Sequence, residues 1–397
     1  AGLWLRHLGG PGGEAPAAPD AGTPPAGEWR AAWISYIELQ GMDYTSAEAF
    51  RAGAAAMMDR CAGLGLNTVI VQVRPFGDAL YPSALFPWSH ICTGVQGVSP
   101  GFDALDILLT EAHSRGLSFE GWINPYRLQA SASSPGTLAA DNLANTHPDW
   151  VAAAGGGLYL NPAIPEAAAY VVEGVAELVR TYPVDGVHFD DYFYPTTDPA
   201  IDAARFAASG AADLAEWRRQ NVTALVKAAH DAVKAADPTL RFGVSPQGNP
   251  DNDMSQQYSD VRGWLAAGSE DAVVDYLCPQ LYWGYGYTLS NGSRRFAYEN
   301  ILAEWLAMPR GSAALYVGLG AYRIGEGDGG SNGDSVSGWS TGRALADQVG
   351  TLRAAGAGGY ALYRYGSLFQ NTAWPQLAEA ECAALTAANA PDGGRAG

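Results

Sequence analysis

The run Val184-Asp185-Gly186-Val187-His188-Phe189-Asp190-Asp191-Tyr192-Phe193-Tyr194-Pro195 sets two adjacent carboxylates and a histidine where a short apolar stretch meets an aromatic loop. Paired carboxyls are the equipment of glycosidic bond cleavage. One protonates the leaving oxygen, and the other stabilises or attacks the oxocarbenium-like centre. Strand alternation sends His188 and Asp190 to one side and Val187, Phe189 and Asp191 to the other. His188 and Asp190 are therefore expected to share a cavity, with His188 holding Asp190. Asp191 becomes the partner of Asp190 only if the strand ends before it. A buried carboxylate must be paired, solvated or used, so an ion-paired or helix-capping Asp-Asp is the plain alternative.

Other strand-like runs also end in polar or aromatic clusters. Glu38 follows the first, and Arg74 and Asp78 follow the second, placing all three at the expected mouth. Asn124 and Arg127 follow the third, and Gln247 and Asn249 the fifth. Gln280, Tyr282 and Trp283 follow the sixth, Tyr322 and Glu326 the seventh, and Arg364 the eighth. Glu38 is the first choice for a second catalytic carboxyl, Glu326 the next, with Asp328 beside it by analogy to other barrels. Arg74, Asp78, Asn124, Arg127, His188, Tyr192, Gln247, Asn249, Gln280, Tyr282, Trp283, Tyr322 and Arg364 are expected to bind substrate. Amides and arginines suit hydroxyl or acetamido groups, and aromatic faces pack on the apolar side of a sugar ring.

Positioning such clusters takes repeated βα units. Short β-branched or aromatic runs at 31–36, 68–73, 118–123, 186–190, 241–245, 274–281, 315–319 and 359–363 alternate with Ala-rich amphipathic stretches. The helices expected include 46–64, capped by Thr45 or Ser46, 103–114 closed by Gly116, 165–182, and 214–236 stopped by Asp237-Pro238. Eight such pairs predict an α/β fold, a (β/α)8 barrel with enlarged βα loops, over a doubly wound sheet. Residues 28–390 form the barrel in this reading. Residues 1–27 are a Gly/Pro/Ala-rich linker containing Leu3-Trp4-Leu5, and 391–397 are a tail.

The chain's 397 residues carry a formal charge of -18 with 48% hydrophobic residues, which places it among globular proteins and argues against nucleic acid or an anionic membrane as partner. A polysaccharide or oligosaccharide fits the 12 Trp, 20 Tyr and 11 Phe. Cys61, Cys92, Cys278 and Cys382 lack metal-ligand spacing and read as free thiols. Gly155-Gly156-Gly157 reads as a flexible loop, and the Gly-rich stretch 325–338 as either a flap or a solvated loop. The linker composition favours an exported protein of the cell envelope or exterior, touching a membrane only through a possible N-terminal anchor.

Long motifs in fixed order carry a resemblance. Trp33-Ile34-Ser35-Tyr36-Ile37-Glu38, Val73-Arg74-Pro75-Phe76-Gly77-Asp78-Ala79-Leu80-Tyr81-Pro82-Ser83 and Trp122-Ile123-Asn124-Pro125-Tyr126-Arg127 are joined by the aspartate run. Gly243-Val244-Ser245-Pro246, Pro279-Gln280-Leu281-Tyr282-Trp283 and Gly320-Ala321-Tyr322-Arg323-Ile324-Gly325 complete the set. From about Arg30 to Phe369 the chain resembles the glycosyl hydrolase-like 10 family. The resemblance implies a TIM barrel acting on glycans, with cell-envelope polysaccharide and peptidoglycan strands as substrates, and no cofactor. The family commonly has a histidine before the small residue and Trp of strand three, where this chain has Glu120. Two other readings stay open. One is a glycan-binding barrel without turnover. The other is a metal-dependent deacetylase or amidase using Asp185, His188, Asp190 and Asp191, although His7, His90, His113, His147 and His230 lie in linker, loop or helix patterns, with His113 and His230 on helix surfaces.

Overall fold

A computed structural model describes residues 18–391. Leu3-Trp4-Leu5, His7 and nearly all of the expected tail lie outside the described residues.

The strands, in chain order, are β1 (Trp29–Ile34), β2 (Thr68–Arg74), β3 (Ser118–Ile123), β4 (Arg127–Gln129), β5 (Val151–Ala154), β6 (Gly157–Leu160), β7 (Gly186–Phe189), β8 (Arg241–Val244), β9 (Tyr276–Leu277), β10 (Ala314–Leu315), β11 (Val317–Gly320) and β12 (Gly359–Tyr363). Every expected strand is present. The parallel sheet runs β10-β9-β8-β7-β3-β2-β1-β12-β11. β10 and β11 are the seventh barrel strand interrupted at Tyr316. The first half pairs with β9, the second with β12, and a bridge from Gln280 to Gly318 joins the edges, so the ring closes. β4, β5 and β6 form a separate antiparallel sheet inserted after strand three. Gly155 and Gly156, with φ of 56° and 81°, make the two-residue turn between β5 and β6. The expected loop is thus an ordered hairpin, whose twist requires positive φ at both central residues.

Helix starts follow their caps. Ser46 accepts from Ala49 N at 3.0 Å and opens Ala47–Gly63, while Asp103 opens Ala104–His113. Helices Pro165–Thr181 and Leu214–Ala236 follow in the expected places. One apolar layer packs between strands and helices, and the four cysteines are free, three of them buried.

The barrel interior is a second, aromatic core: Trp29, Trp33, Trp122, Tyr276 and Tyr316 around Ile70 and Ala361. Gly243 makes room for it, since a Cβ there would lie 2.0 Å from the Tyr276 ring. Polar groups inside are joined in a chain. Trp33 Nε1 donates to His188 Nε2 (3.1 Å), leaving the imidazole proton on Nδ1 to donate to Tyr276 Oη (2.8 Å), whose hydroxyl donates to Glu120 Oε1 (2.7 Å). Burial pushes His188 down to about 3, so it is neutral, and burial raises Glu120 to about 7.

At the barrel floor one guanidinium gathers both ends of the described chain. Arg353 makes a bidentate pair with Glu28 (2.9 Å twice) and also donates to the carbonyls of Ala21 and Ala388 and to Asn389 Oδ1. A Cβ on Gly350 would meet Pro19 O at 2.2 Å, so part of the expected linker already lies against helix Ala344–Ala354. Among the described residues no helix is long and apolar enough to cross a membrane.

Candidate active site

β7 ends at Phe189, so the backbone leaves strand geometry before the aspartates and the strict alternation of Asp190 and Asp191 is broken. Both turn toward the mouth at the carboxyl ends of the strands. Asp190, 5% exposed, accepts from Trp122 Nε1 at 3.0 Å and from the Tyr192 amide at 3.3 Å. Asp191, 8% exposed, accepts from Gln280 Nε2 at 3.0 Å. Gln280 is itself held by the carbonyl and hydroxyl of Ser245 at 3.0 and 3.3 Å. Burial, and then the negative charge of Asp191, lift Asp190 to about 7. Burial also raises Asp191, but bonds from Gln280 and Gln247 and the charge of Arg127 oppose the rise. The two neighbouring carboxyls are thus held by different donors, Asp190 by an indole and a backbone amide and Asp191 by a side-chain amide.

Arg127 follows strand three, lies over the Phe76 ring at 4.4 Å and contributes positive charge to both aspartates. Aromatic rings surround the pair. Tyr282 and Tyr363 stack at 5.6 Å and 18°, Tyr322 meets both edge-on, and Tyr192 is 52% exposed beside the acids. Asn124 Oδ1 accepts from the Arg127 amide at 3.2 Å and so shapes the turn carrying that guanidinium.

Several expected site residues stand elsewhere. Glu38 is the third residue of helix Tyr36–Gln40 and closes a capping box with Ser35. Its oxygens accept from the Ser35 amide (3.0 Å) and hydroxyl, Arg364 Nη1 (2.6 Å) and the Gly366 amide (2.9 Å), so it ties strand one to strand eight with no acceptor capacity left over. Arg364 is its counterion. Arg74 is turned away from the mouth by the register shift between Gln72 and Arg74, and it lies on the Phe86 ring at 3.7 Å against Gly174 of helix Pro165–Thr181. Asp78 is wholly buried, accepting from the Phe76 amide and Gln96 Nε2. Asn249 caps a short helical turn, and Trp283 stacks on Phe296 at 5.1 Å. Glu326 is exposed and takes the Trp374 indole N–H at 2.8 Å, while Asp328 is pinned by three donors.

His188 shares the interior with Asp190, but Trp122 is the donor to the carboxylate, standing edge-on to His188 at 6.4 Å. The metal-ligand set does not converge. Asp185 lies at the opposite end of β7, bonded to His113 (2.8 Å) and the Phe119 amide (2.7 Å), and among the described residues no group of three or more His, Cys, Asp or Glu is placed to hold a metal ion. His230 is buried, bonded to Asp231 and facing Asp275, rather than on a helix surface. Two residues outside the expected set border the pair: Trp122 and Tyr363. Both were legible as inward or terminal strand positions, since Trp122 shares parity with Glu120 and registers with His188.

A parallel barrel with an acid pair and an aromatic rim at its carboxyl face is a (β/α)8 protein. The chain belongs to the Glycosyl hydrolase-like 10 family, whose model matches residues 28–332. It is 37% identical over 323 residues to "Glycosyl hydrolase YngK" of Bacillus subtilis (strain 168), covering 75% of this chain and 61% of that one. It is 36% identical over 299 residues to "Glycosyl hydrolase DigH" of Escherichia coli (strain K12), covering 68% and 65%. The chain thus spans less than two thirds of either relative. Among solved structures, an α-L-fucosidase isoenzyme 2 from Paenibacillus thiaminolyticus matches with TM-score 0.58 and 16% identity over 90% of this chain and 49% of that one. The catalytic domain of a Paenibacillus polymyxa β-amylase matches with TM-score 0.56 and 11% identity over 91% and 99%. At these identities the likeness is one of fold.

Proposed function

We propose that the chain is a glycoside hydrolase acting on a cell-envelope polysaccharide, with peptidoglycan glycan strands as substrate. The observation that carries this reading is the adjacent pair Asp190 and Asp191 at the barrel mouth, nearly buried and each held by its own donors. Asp190 keeps its proton to about neutral pH and gives it to the glycosidic oxygen. Asp191, held by Gln280, remains the anion facing the developing positive charge at the anomeric carbon. Arg127 keeps the second charge tolerable, and Trp122 fixes the orientation of the acid. Tyr282, Tyr363, Tyr322 and Tyr192 offer ring faces and hydroxyls to a sugar.

The test is incubation with peptide-free peptidoglycan strands and a panel of neutral polysaccharides, reading soluble products by mass spectrometry beside Asp190→Asn. Products from the wild type alone support the reading and identify the bond. Intact substrates that bind both proteins equally would make the barrel a glycan-binding protein.

A further inference from the structure

The loops after strands six and seven enclose a second cavity of about 700 Å³. Its lining shares no residue with the acid pair, Arg127, Gln280 or the tyrosine platform. Its walls come from the segment after β9, the Gly-rich stretch after β11 and the first turn of helix Ala344–Ala354. That stretch is a fixed wall. Asp328 accepts from the Gly284 amide (2.8 Å), the Gly330 amide (3.0 Å) and Trp339 Nε1 (3.2 Å), and the Gly325 amide bonds to Trp339 O at 2.8 Å. Trp339 is 2% exposed, so the loop carries its own buried anchor.

The lining is rich in acceptors. Gln348 is 1% exposed; its Nε2 donates to Trp283 O at 2.8 Å, while its Oε1 has no donor among the described residues. Asn332 Oδ1 likewise has none. Asp334 adds negative charge, Asp347 is paired with Arg343 outside the lining at 3.0 Å, and Arg294, the cation of the lining, lies 3.7 Å from Glu299 outside it. Buried acceptors without donors are costly, so a fitting ligand brings hydroxyl or N–H donors. An anionic sugar would meet three carboxylates, Asp328, Asp334 and Asp347, against one guanidinium that lies toward Glu299. The volume falls within the range of small-ligand sites and suits one or two pyranose units.

Position links this cavity to the catalytic mouth. Both open among βα loops at the same end of the barrel, and Tyr282 of the platform precedes Gly284 of the cavity wall by two residues, about 7 Å of chain at most.

We infer that this cavity is an accessory subsite for uncharged, hydroxyl-rich sugar units of the same polymer that enters the mouth, an inference that rests on the glycan reading of the barrel. It holds the chain at a distance from the scissile bond, so it affects capture of long substrates and leaves the chemical step alone.

Calorimetry on the Asp190→Asn protein with N-acetylglucosamine and glucose tetramers, and with tetragalacturonate as the anionic control, tests it. The neutral tetramers are expected to bind at two sites per chain and tetragalacturonate to bind at least tenfold more weakly. Thr341→Trp, at the exposed rim, fills the cavity and removes one site, and Gln348→Leu, which keeps the volume, weakens the same site roughly tenfold. One site per chain unaffected by either substitution, or tighter binding of tetragalacturonate, overturns the inference. Hydrolysis assays separate the two proposals. Turnover by the wild type with a single binding site removes only the accessory subsite. Two-site binding without turnover by the wild type removes only the hydrolase reading.

Discussion

Glu120 at the barrel floor and Asp190 at its mouth are both buried acids that burial lifts to about 7, yet their surroundings differ in kind. Glu120 closes a chain of fixed donors: Tyr276 donates to it, His188 to Tyr276, and Trp33 to His188. The charge of Arg241 stands nearby. Asp190 has an indole and one amide, and beyond them it faces Asp191 and the tyrosine-lined opening. A raised proton affinity therefore does not by itself locate chemistry. Both acids feel a second carboxylate, Asp185 for Glu120 and Asp191 for Asp190, so what separates them is the closed donor chain around one and the tyrosine-lined opening before the other. Glu120, which stands where the family commonly has histidine, is a structural member of the interior.

The widest expected gap between the two acids is in turnover. Asp190→Asn should lower kcat by about 10²–10⁴ while the protein stays folded, whereas Glu120→Gln should leave kcat within about threefold. Steady-state rates on the first substrate identified decide it, and equal losses would erase the distinction between floor and mouth.

The pH dependence should separate them next. If Asp190 is the acid, kcat/KM falls as pH rises through about 7, and Asp190→Asn abolishes that descending limb. Glu120 acts on stability instead. Its folded value, about 7, lies above the ordinary 4.5, so its stabilising contribution is complete below 4.5 and lost as pH rises through 7. Glu120→Gln should match the wild type at pH 4 and exceed it by about 3 kcal/mol at pH 8. Urea titrations at the two pH values check the sign, and a variant less stable than wild type at pH 8 would contradict it.

A smaller effect belongs to the rim. Tyr282→Ala removes the ring stacked on Tyr363 and should raise KM roughly tenfold with little change in kcat, the share of one aromatic face. Smallest at the site itself is Glu38→Gln. It weakens the bond to Arg364 and should cost about 1–3 kcal/mol of stability, with kcat per folded molecule preserved. A kcat loss comparable to that of Asp190→Asn would return Glu38 to the catalytic pair.

The barrel was legible because its signals are local. Period-two apolar runs mark strands, and Ser46, Asp103 and Asp237-Pro238 mark helix ends. The acid pair was legible as a pair, and its geometry hinged on where β7 stops, a backbone property that alternation alone does not fix. The other polar residues were less so, because the same side chains that bind sugars also brace loops. Glu38 and Asp78 look identical to ligand-facing acids until their donors are counted. Arg74 was misplaced by one register shift, which turns a side chain from the mouth to the helix layer. The glycines at 155 and 156 read as slack, but without strand partners in view a tight turn and a loose loop share a composition.

The guanidinium of Arg353 holds the two extremities of the described chain within reach of a single side chain, at the end of the barrel away from the acids. Topologically the molecule is close to a ring. A peptide link drawn between those extremities, with a new opening cut in an exposed loop elsewhere, should preserve the fold, as circular permutants do in domains whose ends lie together. The face that carries the acid pair is then independent of which residue comes first.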